Sequence, residues 1–343
     1  MAGLAKSEIL NVIANRGDSN VVVPWWVHAA APALAIDVVD WLLIAGPDPD
    51  EKHVGFLFAD GDDHPSVVAK TARSTAATAR VVRGYRALEE LRSAGVGGRL
   101  APEPLALLPG PSGELASLET AIRGTPLDGC LRRANESHYA EKITGWLIDL
   151  GKATRRAEQR DAWPSHFRDV VEQFRVNTAG LVDRAFLGAA CSRIEALGSK
   201  PTVCEHHDCS PWNLYVRPDR SLVAFDWDNA NAHGIPAFDL VQALGLLAFS
   251  IDGSLGSRRF ADSFRRAESG KRGAIRRECR SRYASALGMD ADTMTAVRVF
   301  AWMRLTNDEF EARRRRGDYP APKDLESSML GLWREEARSA MDS

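Results

Sequence analysis

The sequence has little that would tie it to a membrane, to nucleic acid or to an oxidising compartment. Its five cysteines, Cys130, Cys191, Cys204, Cys209 and Cys279, follow no regular spacing and are odd in number. That excludes a disulfide framework and predicts reduced thiols. Net charge is nearly absent, with 44 basic against 46 acidic side chains, so no excess of either sign points to nucleic acid or an anionic surface. The apolar stretch from Val21 to Gly46 is broken by Pro24, His28, Pro32, Asp37 and Asp40, which excludes a transmembrane span there. The opening MAGLAKSEILNVIANRGDSN lacks the basic-then-apolar order of a signal peptide, and a cytoplasmic protein is expected. No internal repeat or low-complexity tract occurs.

What remains is a chain of 343 residues with globular composition, long enough for two cores. VGFLFADGDDHPSVVAK, residues 54–70, reads as a hairpin, with Val- and Phe-rich runs around an Asp-Gly-Asp-Asp turn. From Thr75 to Arg92, Ala79, Val82, Leu88 and Leu91 recur at helical spacing, and Gly95, Gly97 and Gly98 stop the helix. LAPEPLALL and ELASLETAIRGTPL supply two more strand-like runs. Beyond about residue 130 the pattern is helical except for a β island at 203–227. The expected fold class is α+β and bilobal, with a β-rich lobe over 1–118, a hinge at 119–123 and a mainly helical lobe over 124–343.

Chemistry concentrates at EHHDCSPWN, residues 205–213. Zinc held by Cys204, His206, His207 and Cys209 is disfavoured, because structural zinc takes ligand pairs from separate segments. A polar turn without function stays open, since Asp and Asn are common in turns. A Cys209 nucleophile lacks an orienting third group. Downstream, NLYV and LVAFDW flank RPDRS, so a second hairpin separates Asn213 from Asp226.

The spacing His206-x-Asp208-x-x-x-x-Asn213, followed by FDWD at 225–228, resembles the HGDxxxxN loop and IDW segment of the aminoglycoside phosphotransferase and choline kinase family. The resemblance extends over about residues 46–245, and His207 departs from it where the family usually has Gly. It implies a protein-kinase-like fold, ATP (or GTP) and magnesium. Phosphoryl transfer requires positioning of the acceptor and neutralisation of phosphate charge. By the resemblance Asp208 orients or accepts the acceptor proton, Asn213 and Asp226 hold magnesium, and His206 braces the loop. Asp228 is expected to face the acceptor, and Asp239 to cap amides or brace the loop.

Lys70, closing PSVVAK, resembles the family's phosphate-binding strand lysine. The glutamate that should pair with it falls on Gly84, and GPDPDEKHV, residues 46–54, lacks the repeated glycines of a phosphate-covering loop. In LETAIRGTPL, backbone groups of Glu119, Thr120 and Ala121 would meet adenine. Arg258 to Arg282 holds ten basic residues against three acidic, and RRRR follows at 313–316. These runs lead us to expect a neutral or anionic hydroxylated acceptor over a polycation, with glycoside or nucleoside antibiotics among those it would fit, in resistance or self-protection. No nucleic-acid or membrane partner is expected. The alternatives are a metabolic sugar or amino-alcohol kinase of the same fold, and a pseudokinase that binds nucleotide without turnover.

Overall fold

The structure is a computed structural model that describes residues 11–14, 23–36, 38–45, 52–59, 63–158, 162–255, 260–315, 317 and 328–341. The described chain divides into two compact units. One comprises the stretches up to Pro126 together with Asn213–Asn231, and the other runs over Leu127–Trp212 and from Ala232 onward.

The first unit is built on a six-stranded antiparallel sheet in the order β1-β2-β3-β4-β6-β5. Its strands are β1 (Asn11–Ala14), β2 (Val38–Ala45), β3 (Lys52–Ala59), β4 (Val67–Ala72), β5 (Pro104–Pro109) and β6 (Leu115–Thr120). The expected 54–70 hairpin is therefore β3 and β4, while residues 60–62 of its turn lie outside the described residues. The broken apolar stretch supplies helix α1 (Trp25–Leu34) and β2, whose Trp26 and Trp41 meet edge to face in a core with Leu57, Ala69 and Leu118. Register puts Val54 opposite Lys70 and Phe56 opposite Val68. Since strand side chains alternate, Lys52, Val54 and Phe56 share one face with Val68 and Lys70.

Helix α2 (Thr75–Ser93) begins where the Ser74 side chain accepts the Ala77 N–H at 3.1 Å and ends before Gly95, at φ 74°. Its buried face is Ala77, Val81, Gly84, Leu88 and Leu91; Ala79 is exposed and Val82 only half-buried. The face is thus rotated from the one predicted, and Gly84 sits at its centre. Strands Leu214–Val216 and Leu222–Ala224 form the second expected hairpin, joined by the short strand Thr125–Pro126.

The second unit is helical. At its centre lies Phe238–Ile251, buried continuously from Phe238 to Phe249, as its nearly unbroken apolar sequence requires. Strand Val203–Glu205 pairs with Asn231–Gly234, so the β island continues slightly beyond residue 227. Among the described residues no helix is long and apolar enough to cross a membrane.

Candidate active site

Within the strand-rich unit the alternating face of β3 and β4 covers a cavity of ≈ 160 Å³. Val54 and Val68 line it with Tyr215 and Phe225 of the second hairpin, two rings packed edge to face at 5.0 Å. Lys52, Lys70 and Asp226 stand among its polar residues, and Glu119–Ile122 form another part of the wall. An apolar slot with ammonium groups suits a planar base joined to phosphates.

Lys70 is buried, with Nζ 3.1 Å from Glu119 Oε2, 3.7 Å from Asp228 Oδ1 and 3.9 Å from Asp226 Oδ1. Burial works against its charge, yet Glu119, then Asp228 and Asp226, hold its pKa above the ordinary lysine value. The carboxylate partner missing from α2 is thus supplied by β6. Lys70 pairs in register with Ser117, which makes Glu119 its diagonal neighbour.

Gly84 has a physical reason as well. A Cβ there would lie 2.8 Å from Asp228 Oδ1, so a side chain on α2 would collide with the carboxylate that occupies the space. Asp228, expected to face the acceptor, is buried here against Gly84 and the lysines. Sequence reading missed Lys52, whose Nζ bonds to both Asp226 and Asp228. The signal available was its place two residues before Val54 on an alternating strand. Residues 46–51 of the expected phosphate-covering segment lie outside the described residues.

Of the residues expected to present backbone to a base, Thr120 donates its N–H to Glu103 O at 2.9 Å and Ala121 donates to Ser66 O at 3.0 Å. Those donors are committed. The next residue, Ile122, lines the cavity, and no backbone hydrogen bond of it to another described residue is seen.

Asp226 has left-handed backbone at φ 66°, an uncommon state for a non-glycine residue that clusters at functional sites. Its side chain is 34% exposed. Asn213 is linked to this segment because its carbonyl accepts the Phe225 N–H at 3.1 Å.

In the helical unit, the loop carrying Asp208 is held amide by amide. Asp239 accepts the N–H groups of His206 at 2.6 Å and His207 at 2.9 Å. His206 Nδ1 accepts the Asp208 N–H at 3.3 Å, Gln242 Oε1 the Cys209 N–H at 3.0 Å, and Asp208 O the Ser210 N–H at 2.8 Å. Five consecutive amides are therefore satisfied, and His206, fully buried, braces the backbone. Asp239 serves the loop rather than capping its own helix. Burial raises its pKa to about 7, although the His206 and His207 amides pull it down.

His207 retains the conformation that Gly would supply, at φ 61°. Its ring is spent on the interior: Nε2 lies 2.8 Å from Glu205 Oε2, and the ring packs edge to face on Phe238 at 5.1 Å. Burial pushes Glu205 well above the usual carboxylate range. Room for Glu205 exists because residue 234 is Gly, where a Cβ would lie 2.2 Å from Oε2. Cys209 is fully buried and burial pushes its thiol up, so it is a poor nucleophile. Among the described residues no set of three or more His, Cys, Asp or Glu side chains is placed to hold a metal ion.

The arginine-rich run does not create the cationic surface expected of it. Arg265 faces Asp262 and Glu335, Arg266 faces Asp252, Arg272 faces Asp252 and Glu136, and Arg276 and Arg280 share Glu268. Arg258 and Arg259 lie outside the described residues. A groove of ≈ 770 Å³ in this unit is larger than the slot, but Arg280 and Arg298 on its wall are tied to Glu268 and Glu336. The preference for neutral or anionic acceptors therefore loses its premise.

The model of the phosphotransferase enzyme family, APH, matches residues 55–280. No curated protein matches the chain in sequence. Among solved structures, a thermostable mutant of aminoglycoside phosphotransferase APH(4)-Ia in its apo form is 11% identical, with 92% of this chain and 99% of that chain covered and a TM-score of 0.57. The ternary complex of a thermostable mutant of the same protein with AMP-PNP and hygromycin B is 10% identical, covering 89% and 94%, at a TM-score of 0.54. An aminoglycoside phosphotransferase from Alicyclobacillus acidocaldarius subsp. acidocaldarius DSM 446 is 13% identical, covering 95% and 97%, at 0.50. These likenesses establish the kinase-like fold, and with the family match over most of its length the chain belongs to the phosphotransferase enzyme family.

Proposed function

We propose that the protein transfers the γ-phosphoryl group of a nucleoside triphosphate, ATP or GTP, to a hydroxyl of a small molecule. The observation that carries this reading is the apolar slot with Lys70, in its buried ion pair with Glu119, and Asp226 on its wall. A base would lie between Val54, Val68, Tyr215 and Phe225, with residues 119–122 of the hinge along its edge. Residues 1–118 would form the nucleotide lobe and 124–343 the acceptor lobe, with the hairpin at 213–231 contributing to the nucleotide site. Lys70 would hold phosphate oxygens. Asp208 would orient the acceptor hydroxyl and take its proton, on a loop kept still by His206, Asp239 and Gln242. Asn213 and Asp226 offer oxygen donors only, which fits a hard divalent cation, and buried Asp228 Oδ1 keeps acceptor capacity beside them. Magnesium bound there would offset negative charge on the phosphates.

The hygromycin B complex of a protein with the same fold supports a polyhydroxylated glycoside as acceptor. With the arginines paired, cationic and neutral acceptors stand on equal terms. If the acceptor is an antibiotic, the activity is one of resistance or self-protection.

The deciding experiment incubates purified protein with ATP or GTP, magnesium and pooled sugars, nucleosides and aminoglycosides, and reads acceptors by mass spectrometry for one added phosphoryl group. Asp208→Asn should remove most of that turnover, by about 100- to 10,000-fold, while leaving the protein folded. Near-normal turnover in the folded variant would sink the role given to Asp208.

A further inference from the structure

Lys52 has no part in the reaction as proposed, yet it stands in the slot as the lysine in direct contact with both aspartates. Its ammonium bridges Asp226 Oδ1 and Asp228 Oδ2, one residue on each side of Trp227. The side chains of Lys52 and Asp228 are 18% and 9% exposed and that of Asp226 34%, so the Asp228 end of the bridge is shielded from solvent and the Asp226 end is partly open to it. Burial lowers the pKa of Lys52, but Asp226 and Asp228 outweigh that and hold it above the ordinary value, against an opposing push from Lys70. Lys70 meanwhile is committed to Glu119 at 3.1 Å and stands 3.7 to 3.9 Å from the aspartates. Of the two lysines, Lys52 is therefore the one that satisfies Asp226 and Asp228.

A point between two carboxylate oxygens, with no nitrogen or sulfur ligand, is also a place that a hard divalent cation would take. Two cations cannot share it. At contact distance a divalent ion and an ammonium repel strongly in a partly buried site, so arrival of one requires departure of the other. A flexible four-carbon stem lets Lys52 leave, and because it lines the same cavity as Lys70, a phosphate bound there would lie within its reach.

We propose that Lys52 is a place-holding cation: it keeps Asp226 and Asp228 together when no divalent ion is bound, and that ion displaces it onto the phosphates of the nucleotide. The second half of this exchange rests on the nucleotide reading above; the first does not. Two consequences follow for the free protein. Metal should bind weakly without nucleotide, because it must break an ion pair, and nucleotide should strengthen metal binding by giving the displaced ammonium a new partner.

Mn2+ alone serves as the probe, with free ion measured by electron paramagnetic resonance and no nucleotide present. Lys52→Met should bind Mn2+ about tenfold more tightly than the native protein, having lost its internal competitor. Lys52→Arg, which keeps the charge, should bind at the native level. Unchanged or weaker Mn2+ binding in folded Lys52→Met would overturn the proposal, as would tightening in Lys52→Arg equal to that in Lys52→Met. If Lys52→Met fails to fold, native protein provides the measurement through lysine acetylation read by mass spectrometry. Saturating Mn2+ should raise labelling of Lys52 severalfold, and AMP-PNP added with Mn2+ should suppress it again. Labelling indifferent to Mn2+ overturns the exchange. If Mn2+ releases Lys52 but AMP-PNP neither binds nor protects it, exchange at the carboxylates is upheld, whereas transfer to phosphate and the nucleotide reading both fall.

Discussion

Two residues that depart from the family pattern carry much of the local physics. Gly84 stands where a paired glutamate is expected, and Asp228 fills the space that its side chain would need. Replacing Gly by Ala in mid-helix ordinarily stabilises by about 1 kcal/mol. Here the new Cβ would press on a buried carboxylate that holds Lys52, so Gly84→Ala should destabilise by about 1–3 kcal/mol and weaken nucleotide binding. Urea denaturation and nucleotide titration check this, and a stabilised variant with native affinity would show that Asp228 moves aside freely. At His207, left-handed backbone at φ 61° makes Gly the easier residue. Removing the ring, however, strips buried Glu205 Oε2 of its partner at 2.8 Å and leaves it the Ile235 N–H, and the loss of one such hydrogen bond costs about 0.5–1.5 kcal/mol. His207→Gly should accordingly lose stability in urea denaturation despite its relaxed backbone. A gain would mean that the strain exceeds the worth of the contact.

At the scale of elements, the apolar helix Phe238–Ile251 positions the Asp208 loop through Asp239 and Gln242. Its apolar run was visible in the sequence, but its service to a loop some thirty residues earlier was not, because hydrogen bonds between distant segments leave no periodicity. The bond also predicts a pH dependence. In the folded protein Asp239 titrates at about 7, raised by burial against the pull of the His206 and His207 amides. In the unfolded chain it would titrate near about 3.9. The native state therefore binds this proton more tightly. The stability that this contributes is fully present below about pH 4 and is lost as pH rises through the folded value. Asp239→Asn cannot titrate, so the stability of the native protein minus that of the variant should fall between about pH 4 and about pH 7 and level off above. Urea denaturation at each pH reads it, and a constant difference would show that Asp239 stays ionised throughout.

For the whole molecule, nucleotide binding should appear as thermal stability. At about 100 times the dissociation constant, AMP-PNP with magnesium should stabilise by about 2.7 kcal/mol through mass action, visible as a raised melting temperature. Asp208→Asn should keep that rise, since Asp208 is assigned to the acceptor rather than the nucleotide. If the rise disappears in the folded variant, Asp208 belongs to the binding of nucleotide. The net charge of −2 tells less than the pairing of individual charges. Arginines that looked like a basic surface are largely matched, with Glu268 held down to about 2 by Arg276 and Arg280 although burial pushes it up.

The sequence by itself determined the α+β class, both hairpins, the presence of helix α2 and the family. Strand alternation, helical spacing and the loop from His206 to Asn213 are local or short-range properties that a linear pattern can carry. Only the tertiary structure decided which carboxylate meets Lys70, why Gly84 has no side chain, where Asp228 points and that Lys52 bridges two aspartates. Each depends on contacts between segments far apart in the chain. The rotation of α2 about its axis and the pairing of the arginine run were likewise set by packing, because a helix turns the face that fits its neighbours, and an arginine's field is offset by the carboxylate beside it.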